Sequence, residues 1–376
     1  MRIPLSAPDI TEADISAVSA VLRTSQLSRG PQMEEFEDSI ARYVGSSQAI
    51  AVNSGTSALH LAIRALGISE DDEVIVPSFA FIAAANVVRY ERAVPVFVDI
   101  DPQTLNLDPA RVEEAITPHT RAIMVVHTFG CPAALDEILE IASRHKLFII
   151  EDACEALGAQ FDGRKVGSFG HAAVFGFYPN KQITSGEGGM LVTSDPKLAA
   201  LARKLRNQGR GESGAWLQHE ELGYNYRISE LNCALGAAQL QRLETILEKR
   251  EAIAREYHHM LENQPDLELP TLELPRRRIS WFVYVVRLDK RFPATHRDHL
   301  IHEMLSRGIA CGRYFAPIHL QPAFRSQTHR CMTLTHTESI APRTLALPFF
   351  NRISTEQIEE VCQTLSELLR NLWTTS

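Results

Sequence analysis

Four short segments of this 376-residue chain combine residue types whose spacing could do chemistry. Asn53-Ser54-Gly55-Thr56-Ser57 follows the apolar run Ile50-Ala51-Val52 and opens a helix. Small residues there present backbone N–H groups and hydroxyls at a helix N-terminus, an arrangement that binds phosphate; the same residues also serve as plain helix caps. Leu147-Phe148-Ile149-Ile150-Glu151-Asp152 ends an apolar strand in two carboxylates, and strand alternation sends one toward a ligand crevice and the other away. A carboxylate in that place suits a protonated ring nitrogen or another cation, or it caps the next helix. In Phe177-Tyr178-Pro179-Asn180-Lys181 through Gly186-Glu187-Gly188-Gly189, a lone lysine sits between an aromatic–proline pair and a glycine-rich turn. An amine held in a crevice of low dielectric can lose its proton and attack a carbonyl; in open solvent it is an ordinary loop lysine. The glycines follow Lys181, so the segment is not a GxxxxGK phosphate loop. Finally, Gly223-Tyr224-Asn225-Tyr226-Arg227 offers amide and guanidinium donors for an anion, with tyrosines that could equally be packing anchors.

Positioning these segments requires a scaffold that brings them to one edge. Apolar β-rich runs alternate with helical stretches through the first half of the chain: Glu73-Val74-Ile75-Val76, Val94 to Ile100, Ala122 to Val126, Leu147 to Ile150, Ala172 to Phe177 and Met190 to Thr193 are the candidate strands. Ser57 to Leu66, Pro109 to Ile116 and Ala133 to Arg144 are the candidate helices between them. Strands this continuously apolar leave no wet face, so the expected architecture is α/β: a mostly parallel sheet flanked by helices, with ligands at the carboxyl ends of the strands. From Ser229 a single long helix is expected to about Leu261, followed by a proline-marked stretch and Arg276-Arg277-Arg278. The remainder reads as a strand from Phe282 to Leu288, a helix from about Thr295 to Ser306, a loop-rich run and a closing helix after Ser354. The predicted division is a large domain over residues 1–254 and a smaller C-terminal α+β domain over 255–376.

Composition narrows the function classes. The formal charge is -8, with 45% hydrophobic and 22% charged residues, which is ordinary globular usage and leaves no electrostatic footprint for nucleic acid. No apolar run is long enough to span a bilayer, so no membrane partner is expected. The six cysteines are widely spaced without a CxxC pair, so neither a metal site nor a disulfide framework is indicated, and reduced thiols fit a cytoplasmic location. Taken together, the four segments supply a phosphate cradle, a carboxylate, a candidate imine-forming amine and an extra anion donor, the parts that pyridoxal 5'-phosphate chemistry requires.

In the order of its motifs the chain resembles the pyridoxal-phosphate-dependent sugar aminotransferases of the DegT/StrS type. The resemblance runs from Leu27-Ser28-Arg29-Gly30-Pro31 and Phe36-Glu37 through Ser54-Gly55-Thr56 and Gly223-Tyr224-Asn225-Tyr226-Arg227 to Tyr314-Phe315-Ala316-Pro317-Ile318-His319 and Leu347-Pro348. It implies the aspartate-aminotransferase fold and a homodimer with active sites shared at the subunit interface. By the same resemblance Lys181 joins the cofactor as a Schiff base and shuttles the proton between substrate and cofactor. Asp152 pairs with the pyridinium nitrogen. Gly55, Thr56 and Ser57 hold the phosphate, with Asn225 reaching it from the second subunit, and Phe81 stacks on the ring. A related sugar dehydratase branch carries His in place of the lysine, so Lys181 favours transamination: an amino group passes from L-glutamate, which leaves as 2-oxoglutarate, to a nucleotide-linked keto-sugar.

Two positions depart from that pattern. Gly176 stands where the family often has Ser, removing one phosphate hydroxyl. Glu155 stands where Gln or His usually lies beside the phenolic oxygen, and a carboxylate there is expected to share a proton rather than repel the phenolate. Arg29, Arg227, Tyr314 and His319 are the candidates for contacting the sugar nucleotide. Two alternatives share the same motifs: transamination of a carbocyclic ketone such as an inosose with a glutamine donor, and a non-catalytic pyridoxal-phosphate-binding regulator.

Overall fold

A computed structural model describes residues 2–211 and 218–374. The central sheet has eight strands in the order Gln48–Val52, Gly189–Thr193, Ala172–Gly176, Phe148–Asp152, Thr120–Val126, Glu73–Pro77, Val94–Val98 and Arg330–Cys331. Among them only Gly189–Thr193 runs against the others. The expected mixed, mostly parallel sheet is therefore present. Its two faces follow from strand alternation: Ile75, Val125, Ile149 and Val192 join one core cluster, while their neighbours Val74, Met124, Ile150 and Leu191 join the other. Helices cover both. Pro31–Val44 and Leu135–His145 bring Phe36, Ile40 and Ile138 to the first cluster; Gly55–Ala65, Ala83–Tyr90 and Pro196–Arg206 bring Leu59, Val87 and Leu198 to the second.

The long helix expected from Ser229 begins as read, with the Ser229 hydroxyl accepting the Asn232 N–H, but it is two helices, Glu230–Leu240 and Leu243–Leu261. The break falls at Arg242, whose backbone leaves the helical region (φ -113°, ψ 16°) while its guanidinium reaches Asp9 at 3.0 Å and Asp14 at 2.9 Å. These acids lie near the N-terminus, so periodicity around 242 carries no sign of the break.

The position expected to separate two domains, 254/255, lies within Leu243–Leu261. Leu243, Ile246 and Leu247 of this helix pack under the main sheet, whereas Ile253, Ala254, Tyr257 and Leu261 pack in a third core. That core is built on a small antiparallel sheet, Leu267–Glu268, Tyr284–Leu288 and Thr344–Leu347, and on helices Ala294–Ser306 and Thr355–Thr374. Ile3 also packs there, and Arg330–Cys331 crosses back to the main sheet. The joint is pinned by Arg250. Its Nε donates to the Trp281 carbonyl at 2.6 Å, Nη2 to the Phe282 carbonyl at 2.8 Å and Nη1 to Asn351 at 2.9 Å, and burial pushes its pKa down to about 10. Arg250→Leu strands two buried carbonyls and is expected to lower the unfolding free energy by about 2–4 kcal/mol in urea denaturation.

Candidate active site

Parallel strands bring their carboxyl ends to one edge, and a cavity of about 470 Å³ opens there. Its walls come from five strand ends and from the smaller sheet's side of the chain: Thr56 after the first strand, Phe81 after the second, Val126, Asp152 and Gly176 at the ends of three more, and Phe282 and Tyr314 opposite.

The phosphate-shaped turn begins at Ser54, whose hydroxyl accepts the Ser57 N–H at 3.1 Å and lies 2.9 Å from the Ser57 hydroxyl. Ser57 is buried with its N–H and hydroxyl both against the Ser54 hydroxyl, while Gly55 and Thr56 line the cavity. First-turn N–H groups have no partner within their own helix, so the edge carries the positive end of the helix dipole. Gly55 is required by its neighbour: a Cβ there would lie 2.9 Å from the Cys154 sulfur and 3.4 Å from the Gly176 Cα. A Cβ on Gly176 would lie 3.4 Å from the Cβ and the sulfur of Cys154, ordinary van der Waals contact, so packing alone does not demand glycine there.

Alternation along Phe148–Asp152 separates the two carboxylates. Glu151 turns away from the cavity into complete burial, where its oxygens accept N–H bonds from Gly167 at 2.7 Å, Phe169 at 2.8 Å and Gly170 at 2.7 Å and meet His127 Nε2 at 3.1 Å. Burial works to raise its pKa, but His127 and these N–H groups outweigh it and hold the carboxyl below its ordinary value. Asp152 lines the cavity and accepts the Cys154 N–H at 3.1 Å.

Lys181 projects into the same cavity from the turn after Ala172–Gly176, where its N–H closes on the Tyr178 carbonyl at 2.9 Å. Its ammonium lies 4.0 Å from the centroid of the Phe282 ring and 3.7 Å from Glu155 Oε1. The following residue anchors the turn: Gln182 Nε2 donates to the Glu155 carbonyl at 2.5 Å and to the Ser280 carbonyl at 2.7 Å. Glu155 is buried, with Oε2 accepting the Phe129 N–H at 2.9 Å, and burial raises its pKa despite the nearby ammonium. Phe81 stands at the mouth, 61% exposed. Tyr314 completes the wall, its hydroxyl pushed up by burial and by the charge of Glu155.

The structure therefore gathers Gly55, Thr56, Phe81, Asp152, Glu155, Lys181 and Tyr314 around one cavity. The other candidates lie outside its walls. Asn225 is exposed on a loop held by its flanking tyrosines, which stack at 4.8 Å; the Tyr226 hydroxyl meets His60 at 2.9 Å and Tyr224 donates to Glu91 at 3.2 Å. Arg29 is exposed with a φ of 54°, in a loop whose next N–H groups, at Gly30, Gln32 and Met33, are taken by the Glu230 carboxylate. Arg227 is held by Asn207 at 3.0 Å and Gln208 at 2.6 Å. His319 ties the Tyr314 loop to the sheet edge through Ser78 at 2.7 Å and meets Glu338 at 3.2 Å. Sequence reasoning missed Phe282, Phe315, Cys154, Asn180 and Glu187 as lining residues. Glu187 lay in a quoted motif and could have been found; Phe282 carried only a strand signal.

The residues present fit pyridoxal phosphate. An enclosed space in the range of small-molecule sites is lined by a helix N-terminus for a phosphate, a carboxylate for a ring nitrogen and an amine for an aldehyde. Among the described residues no cluster of metal-ligand type is found and no helix is long and apolar enough to cross a membrane.

Comparison with known proteins gives a consistent result. The model of the DegT/DnrJ/EryC1/StrS aminotransferase family matches residues 8–366. GDP-perosamine synthase of Caulobacter vibrioides is 40% identical over 370 residues, 98% of either chain. The crystal structure of the aminotransferase TlmJ from Streptoalloteichus hindustanus is similar with a TM-score of 0.92 and 32% identity, covering 98% of this chain and 99% of that one. Helicobacter pylori PseC, an aminotransferase involved in the biosynthesis of pseudoaminic acid, is similar with a TM-score of 0.93 and 26% identity over 99% and 100% of the two chains.

The packing at the cradle predicts a compensating pair. Gly55→Ala should cost about 1–3 kcal/mol of stability through overpacking against Cys154. Cys154→Ala in the same chain should recover most of that loss, as measured by urea unfolding of both variants.

Proposed function

The chain belongs to the DegT/DnrJ/EryC1/StrS aminotransferase family and is a pyridoxal-phosphate-dependent sugar transaminase; from that premise we propose that it moves an amino group from L-glutamate to a nucleotide-linked keto-sugar, giving an amino sugar nucleotide. The observation that carries the proposal is the convergence of Thr56, Asp152 and Lys181, from three separate strand ends, on one cavity. Pyridoxal phosphate, when bound, supplies an electron sink for the bond broken at the amino-bearing carbon.

The chain's own residues do the rest. Gly55 and Thr56, behind the Ser54–Ser57 cap, would hold the phosphate through backbone N–H groups and a hydroxyl. Asp152, at the crevice, would pair with the ring nitrogen, and Phe81 would cover one ring face. Lys181 Nζ would carry the proton taken from the donor's α-carbon and return it to the acceptor's carbon. Its position over the Phe282 ring and beside Glu155 keeps the amine aimed into the cavity rather than toward solvent.

The exposed Asn225 loop suits a homodimer in which this residue reaches the phosphate site of a second copy. The aromatic side chains left exposed at or near the mouth, Phe81 and Tyr178, suit the same reading. Arg29, Arg227, Tyr314 and His319 remain the proposed contacts to the sugar nucleotide, with Tyr314 the one already in the wall. Residues 1–254 and 255–376 are proposed as the cofactor-binding and closing domains of a cytoplasmic enzyme.

The relative that makes GDP-perosamine puts GDP-linked keto-sugars first among the acceptors to try. Purified protein with pyridoxal phosphate should be yellow, bleach on adding L-glutamate, and recover colour with a nucleotide-linked keto-sugar. Bleaching by L-glutamine alone, with recovery on an inosose, would replace this reading with the carbocyclic one. Lys181→Ala should lose the visible absorbance and turnover together, by at least about 10³-fold in kcat; a variant of normal activity would refute the assignment.

A further inference from the structure

Two buried glutamates four residues apart are treated very differently by the chain. Glu151 receives three backbone N–H bonds and a histidine contact. Glu155, also buried, receives one backbone N–H bond on Oε2, from Phe129, and its Oε1 faces Lys181 Nζ at 3.7 Å, beyond hydrogen-bond length. Buried carboxylates stay ionised when fully supplied with donors, so Glu151 is built to remain an anion and Glu155 is not. The pKa directions agree: Glu151 is lowered and Glu155 is raised.

The neighbours of Glu155 strengthen the contrast. Besides Lys181, the titratable groups that bear on it are Asp152, the Cys154 thiol and the Tyr314 hydroxyl. Each of these is neutral or negative, so Lys181 is its only cationic partner among them. Lys181 Nζ in turn has the Phe282 ring centroid at 4.0 Å on one side and Glu155 Oε1 at 3.7 Å on the other. Backbone geometry fixes the pair: Gln182, next to the lysine, donates to the carbonyl of Glu155 itself.

We propose that Glu155 is the proton-holding partner of Lys181: it takes one proton from the ammonium, so that carboxylate and ammonium become carboxylic acid and neutral amine, and gives it back when the amine is released. The transfer moves a single proton from Nζ to Oε1 and leaves the lone pair on Nζ free to bond to a carbonyl carbon. Glu155 acts through Lys181, as a positioning residue for its charge. A Gln at 155 would still accept the Phe129 N–H but would neither hold the proton nor stabilise the ammonium. The proposal rests on Lys181 being the imine-forming amine.

The test begins with cofactor-free protein. Labelling of Lys181 by trinitrobenzenesulfonate is followed by peptide mass spectrometry as a function of pH, with the exposed Lys146 as an internal control. A carboxyl that takes the proton leaves a share of Lys181 as neutral amine at pH values where an ammonium without such a partner has almost none, so wild type should keep a labelling plateau below its midpoint that Glu155→Gln lacks, with Lys181 labelled about tenfold more slowly there in the variant. Glu155→Asp, which keeps the charge but withdraws it, should fall between the two and carries the comparison should Glu155→Gln not fold. With pyridoxal phosphate added, the visible band of Glu155→Gln should titrate at a different pH from that of wild type. Superimposable labelling profiles, or identical titrations, overturn the proposal. A wild type that forms no visible band with pyridoxal phosphate overturns the cofactor role of Lys181 instead, and leaves the labelling comparison to stand or fall alone.

Discussion

Strands that run parallel in one sheet must all end on the same edge, and the site of this protein follows from that constraint. Each carboxyl end leaves its final residues, and the turn after them, beside those of its neighbours. Asp152 closes one strand, Gly176 closes the next, and Thr56 and Phe81 follow two others. No residue here is near another in sequence, yet they line one cavity because helices cover both faces of the sheet and leave the carboxyl edge open. The single antiparallel strand, Gly189–Thr193, fits the same constraint. It starts at the crevice, and its first glycine leaves room for the Ser54 carbonyl, which would meet a Cβ at 2.3 Å.

At that edge the chemistry depends on how charge is matched without water. Glu151 is wholly buried and is matched by the turn at 167–170 and by His127, so it fixes the end of its strand and the direction of its neighbour Asp152. Its depressed pKa makes the match a source of stability above the unfolded carboxyl range near about 4.3, lost as pH falls through the folded value. Glu155 is left with a deficit of donors one helical turn's distance along the chain. The difference between the two is a difference in the surrounding loops, not in the side chains, and it separates a structural anion from a group able to change charge.

Much of this was legible in the sequence because its causes are local. Apolar runs bounded by turn residues fix the strands; Ser54 and Ser229 announce their helices as caps; a lone lysine before a glycine-rich turn marks the crevice. What escaped reading is held by partners far apart in the chain. The helix break at Arg242 answers to Asp9 and Asp14, and the seat of Lys181 on Phe282 depends on Arg250 and Gln182 binding the backbone at 280–282.

The net charge of -8 is a poor guide to how an anionic ligand would be met. Among the lining residues Lys181 is the only cation, set against Asp152, Glu155 and Glu187. A phosphate entering the cavity would be met by the positive end of the helix dipole at Gly55 and Thr56 more than by side-chain charge. Outside it, Arg227 is held by the amide oxygens of Asn207 and Gln208, and among the described residues neither it nor Arg29 forms an ion pair with an acid. A guanidinium oriented by neutral acceptors keeps its full charge and loses little freedom on meeting an anion, whereas one already bound to a carboxylate must first be released. Among the described residues most arginines have an acidic partner; Arg29 and Arg227 belong to the minority that have none, which leaves their charge free to meet an anion.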